Sequence, residues 1–185
     1  PILAVIARPN VGKSTLFNVI LGLLRPESGR INLFGQPRAR PRDFNGVRGK
    51  IGLLFQDSDD QLFCPTVEED IAFGPMNQGK GREEARRIVR QTLESLGLDG
   101  FERRLTHRLS GGEKRLVALG TTLAMSPEVL LLDEPVAGLD EAATERVTRL
   151  LEQSAHTIVA ISHDHAFLQR IAHSRVEMKN GQILS

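Results

Sequence analysis

The sequence predicts an α/β domain with a mostly parallel sheet flanked by helices. Short apolar runs of strand length alternate with stretches apolar at helical spacing, the mark of βαβ units. A block of helical periodicity also sits between strand signals, which predicts a helical subdomain inserted into one sheet-bearing domain.

Residues 2–7 are a near-continuous apolar run, read as a buried strand. Residues 14–24 are apolar at Leu16, Phe17, Ile20, Leu21 and Leu24, a helical stripe that Pro26 and Gly29 bring to an end. Residues 31–34 and 51–55 read as strands. The stretch between them, with Arg38, Arg40, Arg42, Arg48 and Lys50, reads as a solvated loop in preference to a phosphate-binding patch. From 66 to 109 the pattern is helical, with helices at 67–73 and 82–96, the second apolar at Ala85, Ile88, Val89, Leu93 and Leu96. Strand signals resume at 129–132, 157–161 and 175–178. The expected organisation is a single domain over 1–185, with 1–65 and 110–185 as core and 66–109 as helical subdomain.

Composition narrows the function classes. With 24 Lys+Arg against 23 Asp+Glu, nothing in the charge balance calls for nucleic acid. The apolar runs are too short to cross a membrane, and the N-terminus has no secretory pattern. A single cysteine, Cys64, excludes a disulfide framework or a cysteine-rich zinc site and fits a reducing cytosol. The aromatics are 8 Phe, with no Trp and no Tyr.

Ala7-Arg8-Pro9-Asn10-Val11-Gly12-Lys13-Ser14-Thr15 has P-loop spacing, with Ala for the first Gly. A strand signal before it and a helix signal after it weigh against a chance Gly-Lys-Ser. Backbone N–H groups across Ala7, Asn10, Val11, Gly12 and Thr15 would surround an anionic phosphate. Gly12 allows close approach, Lys13 reaches the terminal phosphates, and the Ser14 hydroxyl is a Mg²⁺ ligand.

Two further motifs narrow the class. Leu109-Ser110-Gly111-Gly112-Glu113 precedes an apolar helix, with Ser110 as N-cap and the amides of Gly111 and Gly112 as a second anion site. The run Val129-Leu130-Leu131-Leu132-Asp133-Glu134 is an apolar strand ending in two carboxylates, Asp133 placed for the Mg²⁺ shell and Glu134 to polarise a water.

With these motifs the chain resembles the ABC transporter ATPases, P-loop NTPases, and in particular the cobalt/nickel-type energy-coupling-factor subgroup. The resemblance runs from about Leu21 to the C-terminus. It makes Leu109 to Glu113 the signature, Ala137-Gly138-Leu139-Asp140 the D-loop, Gln56 the Q-loop glutamine and His163 the switch histidine. The subgroup likeness rests on the run from Phe55 to Phe63 and on that from Thr66 to Pro75. It implies ATP and Mg²⁺ as cofactors, with Ser14, Gln56 and Asp133 near the metal. Glu134, Gln56 and His163 are the implied catalytic set. His107, His156, His165 and His173 read as ordinary polar residues. The implied partners are a second ATPase subunit, with ATP at the interface, and a membrane subunit docked near Gln56 and the helical subdomain. The implied location is cytoplasmic, on the inner face of the membrane.

Two departures stand against that pattern. The family begins with an antiparallel strand pair carrying an aromatic for adenine, whereas six residues precede Ala7 here and no Tyr or Trp is present. Losing such a stack would weaken ATP binding by about ten- to a hundredfold. The P-loop with Asn10 looks like that of the Era/Der class of ribosome-assembly GTPases, which raises a chain assembled from two P-loop families. A guanine-specific Asn-Lys-x-Asp is absent, and Asp43-Phe44-Asn45-Gly46 reads as chance. Three functions stay open: an ATPase subunit of a metal-ion or vitamin importer, a nucleotide-binding module or chimera with little turnover, and a GTPase.

All three need Lys13. Lys13→Ala is expected to abolish measurable ATP and GTP binding in calorimetry while leaving the protein folded; unchanged binding would remove the P-loop assignment.

Overall fold

A computed structural model describes residues 2–7, 13–154, 157–179 and 182–184. Along the chain, β1 (Ile2–Ala7) is followed by α1 (Lys13–Ile20), β2 (Ile31–Leu33), β3 (Gln36–Arg38), α2 (Asn45–Arg48) and β4 (Ile51–Leu54). Next come the helices α3 (Val67–Asn77), α4 (Arg82–Leu96) and α5 (Gly111–Leu123). The chain then alternates β5 (Val129–Asp133), α6 (Glu141–Glu152), β6 (Thr157–Ile161), α7 (His165–Ile171), β7 (Ser174–Lys179) and β8 (Gln182–Leu184).

Six strands form the main sheet in the order β4-β5-β6-β1-β7-β8. All pairs are parallel except β7 with β8. Alternate residues of β5 face opposite layers. Leu130 and Leu132 join one buried cluster with Leu116, Leu119 and Val147, whereas Leu131 joins Phe17, Leu21, Val47 and Ile161 on the other face. Burial on both faces is why β5 reads as a continuous apolar run rather than an alternating one.

The structure departs from the sequence expectation between 20 and 50. Helix α1 ends at Ile20, and Gly22 turns the chain at φ +67°. Leu24, counted on the apolar stripe, is consequently 46% exposed. The Phe44 ring sits where a Gly22 side chain would be, so this turn requires glycine for space as well as for its backbone. Residues 31–33 do not enter the main sheet but pair with 36–38 as a separate hairpin. The supposed solvated loop is folded too. Phe44 and Val47, three apart on a short helical turn, are both buried, and Val47 packs with Phe17 and Leu21. The arginines masked that pair, because the apolar signal was only two residues long.

The segment after β4 is tied to the helical layer through buried polar groups. Asp70 Oδ1 accepts the N–H groups of Phe63 and Cys64 at 3.2 and 3.0 Å. The Thr106 hydroxyl donates to the Cys64 carbonyl at 2.7 Å. Helix α3 starts in a capping box between Thr66 and Glu69 and continues through Pro75 to Asn77, beyond the expected 67–73.

Helix α5 lies directly on β4. A Cβ on Gly52 would stand 2.6 Å from the Thr122 methyl and 3.0 Å from Pro127. Thr122 is β-branched and buried, so it has no free rotamer to yield. Gly52→Ala is therefore expected to destabilise the fold by about 1–3 kcal/mol through overpacking, read as a lower urea midpoint at unchanged m-value.

Candidate functional site

In an open parallel sheet the strand ends bring their following loops together on one side, and ligands bind beyond the carboxyl ends. Asp133 closes β5 and is 3% exposed. Glu134 follows at φ +54°, a left-handed turn that a non-glycine residue adopts at an energetic cost, here where the strand must swing into a loop. The Glu134 N–H donates to the Ile161 carbonyl at 2.8 Å, carrying the β5–β6 pairing one residue past the strand.

That turn brings the Glu134 carboxylate onto the end of β6. Its Oε2 accepts the Ser162 hydroxyl and the His163 N–H, each at 3.1 Å. The His163 Nε2 lies 3.4 Å from its Oε1. Thus Glu134 and His163, 29 residues apart, share one site. Their neighbour across the sheet is β1, whose Val5 pairs with Ile161, so Ala7 emerges beside them. Lys13, Ser14 and Thr15 open α1. Asn10, Val11 and Gly12 lie outside the described residues.

Gln56 lies just past β4, exposed. A cleft of ≈ 440 Å³ is lined by Gln56 and Asp133 together with Phe17 and Asn18 of α1, which brings two expected metal ligands to the helix that follows the P-loop. Asp57 and Asp60 also line it. Among the described residues no group of three His, Cys, Asp or Glu side chains is set to hold a metal ion by itself.

Ser110, Gly111 and Gly112 do not line this cleft. They open α5 in a second capping box: the Ser110 hydroxyl accepts the Glu113 N–H, and Glu113 Oε2 accepts the Ser110 N–H at 2.8 Å. That bond and Arg104 hold the Glu113 carboxyl below the usual glutamate range. A Cβ on Gly112 would lie 3.1 Å from the Gly138 carbonyl, which brings the expected signature and D-loop into contact.

Two residues that sequence reasoning passed over hold this region together. The Arg115 guanidinium, on a side chain within a 4% exposed residue, donates to the carbonyls of Phe55 (2.6 Å), Gln56 (3.1 Å) and Glu134 (2.7 and 3.0 Å), and to that of Asp133. Burial lowers its pKa, while Asp133, Glu134 and Asp57 act to raise it. Gln61 accepts the Phe55 N–H at 3.1 Å and donates to the Ala118 carbonyl at 2.8 Å and to the hydroxyls of Thr121 and Thr122. One signal for Arg115 was available: a charge leading straight into the apolar run Leu116-Val117-Ala118. Cys64, whose thiol is pushed up to about 11 by burial and by Asp70, is a packing residue beside this segment.

The ABC transporter family matches residues 2–137. The chain belongs to the ABC transporter family. It is 47% identical, over 98% of its own length and 76% of the relative's, to a putative ABC transporter ATP-binding protein of Brucella suis. To the energy-coupling factor transporter ATP-binding protein EcfA of Methanocaldococcus jannaschii it is 42% identical, over 95% of its length and 65% of the relative's. CbiO1 of Clostridium perfringens, part of the ABC transporter complex CbiONQ, superimposes over the whole chain and 75% of its own, with TM-score 0.85 and 35% identity. A dimeric post-hydrolysis structure of the ATP-binding cassette MJ0796 with ADP and Pi covers the whole chain and 83% of its own, with TM-score 0.89 and 25% identity. The fold is thus that of the P-loop NTPase cassette in ABC proteins. No helix among the described residues is long and apolar enough to cross a membrane.

In this ABC protein the Ser110 cap fixes where the glycine amides of α5 begin. Ser110→Ala is expected to cost about 0.5–2 kcal/mol by leaving the Glu113 N–H without its acceptor, measured as a lower thermal midpoint.

Proposed function

We propose that the chain is the ATP-binding and ATP-hydrolysing part of an energy-coupling-factor-type importer of a metal ion or vitamin. The observation that carries this reading is the Glu134 carboxylate, held by Ser162 and His163 at the end of β6 beside the strand that leads into the P-loop.

In this reading the triphosphate of ATP lies on residues 7–15, with Lys13 and the backbone N–H groups of Asn10, Val11, Gly12 and Thr15 binding its oxygens. Ser14, Gln56 and Asp133 would hold Mg²⁺. They offer oxygen donors alone and a single carboxylate, the hard set that ion accepts alongside phosphate and water. Mg²⁺ supplies charge neutralisation on the phosphate oxygens. Glu134 takes a proton from the attacking water as the water oxygen bonds to the γ-phosphorus. The bond to the bridging oxygen breaks and its electron pair leaves with ADP. His163, on the other side of the same carboxylate, donates a hydrogen bond to the γ-phosphoryl group.

Assembly follows the same logic. Ser110, Gly111 and Gly112 stand apart from the cleft of their own chain, so they would complete the P-loop site of a second ATPase subunit. The dimeric cassette with ADP and Pi supports that arrangement. Beside the Gln56 segment, Phe63, Phe73 and Met76 are 65%, 48% and 47% exposed, and the two rings meet edge-to-face at 4.8 Å. Such an apolar patch on residues 63–76 suits a membrane subunit. We read residues 66–109 as a helical subdomain on a core of 1–65 and 110–185, at the inner face of the membrane. A family match that runs unbroken through the P-loop supports one origin for the chain over an assembly from two families.

Glu134→Gln keeps size and hydrogen bonding while removing the charge. Steady-state phosphate release from ATP should fall by about 10²–10⁴-fold with nucleotide affinity little changed. Equal turnover in both proteins would remove Glu134 from the chemistry, and no release from the parent protein would leave a nucleotide-binding module. Faster release from GTP than from ATP would mean a GTPase.

A further inference from the structure

The pairing of β4 with β5 ends at Leu54 and Leu132. Beyond that pair the ladder stops, and each strand's continuation carries residues that the proposed chemistry needs: Gln56 on one, Asp133 and Glu134 on the other. Strand pairing no longer fixes the distance between them. Arg115, reaching down from α5, donates to carbonyls of both continuations at once.

We propose that Arg115 is a positioning residue for the site, clamping Gln56 and the Asp133-Glu134 pair in register and tying both to helix α5, which Ser110 caps. A guanidinium suits this task because its N–H donors are spread over a planar fork, whereas an ammonium presents its donors from one point. The Arg115 N–H groups donate to the backbone carbonyls of Phe55, Gln56, Asp133 and Glu134, so the clamp fixes main chain. The cost is a buried charge, offset by the nearby carboxylates of Asp57, Asp133 and Glu134. Gln61 completes the attachment. It holds the Phe55 N–H on one side and the Ala118 carbonyl and two hydroxyls of α5 on the other. The Gln56 segment and α5 consequently behave as one body. A shift at the segment next to the exposed Phe63 patch is then transmitted to the amides of Gly111 and Gly112.

The link to catalysis rests on the proposed ATPase reading; the clamp itself does not, and the experiment reads the two separately. Hydrogen exchange in the nucleotide-free protein follows the amides of Phe55, Asp59, Gln61 and Leu62, which are hydrogen-bonded within this segment. Arg115→Lys keeps the charge and removes the fork. It should speed exchange at these amides by about tenfold or more while the amides of β6 keep their rates. With ATP, kcat should fall by about tenfold or more at a KM within about threefold, because geometry is lost and not phosphate binding. Unchanged exchange, exchange raised equally in β6, or an unchanged kcat each overturns the proposal. If the parent protein releases no phosphate, the ATPase reading fails, and the exchange result alone decides the clamp. Should Arg115→Lys not fold, Arg115→Gln, with a neutral and smaller donor set, is read by the same criteria.

Discussion

Strands β5 and β6 are covered on both faces, so their central side chains are apolar and leave little room for a polar group to meet solvent. Chemistry can enter only where the strands stop. The polar groups that β5 and β6 bring to the candidate site obey that constraint: Asp133 is the last residue of β5, Glu134 the next, and Ser162 and His163 follow β6 directly. The same constraint explains the order of elements. Parallel pairing demands a crossover after each strand, and the crossovers α6 and α7 leave the carboxyl ends gathered along one edge of the sheet.

Acidic groups gathered at such an edge need compensation when they are buried. Glu134 obtains it from Ser162 and the His163 N–H, and the loop around it from the Arg115 guanidinium. These are contacts among residues that lie 19 to 29 positions apart, each anchored on a different element. Their common reference is the sheet. A change in packing under β5, even one without polar contact, therefore moves the carboxylate relative to the P-loop strand.

The helical layer is joined to this edge by polar side chains rather than by sheet pairing. Asp70 and Thr106 fix residues 63–65 onto α3 and its return, while Gln61 and Arg115 fix residues 55–61 onto α5. Interior polar contacts of this kind are directional and are costly to leave half-made. They give the segment after β4 a defined shape without regular secondary structure, and they set it between an exposed aromatic patch and helix α5.

Local pattern alone determined much of this. The strands at 2–7, 51–54, 129–133 and 157–161 and the helix at 82–96 were legible, because burial on both faces or on one stripe writes its period into the sequence. The carboxylates at the end of an apolar run and the N-cap at Ser110 were legible for the same reason: each is a local device, and only the structure showed that Glu113 closes the cap into a box. What the sequence could not specify was which strand ends become neighbours. The strand order places β1 between β6 and β7, and that order brings Glu134, His163 and Ala7 to one place. The partners of Arg115 and Gln61 were equally invisible, since they lie up to 61 positions away and are mostly backbone carbonyls, which every residue carries. The buried pair Phe44 and Val47 was hidden among arginines for a related reason. Two apolar residues set no period, and only the turn at Gly22 and the face of α1 gave them something to pack against.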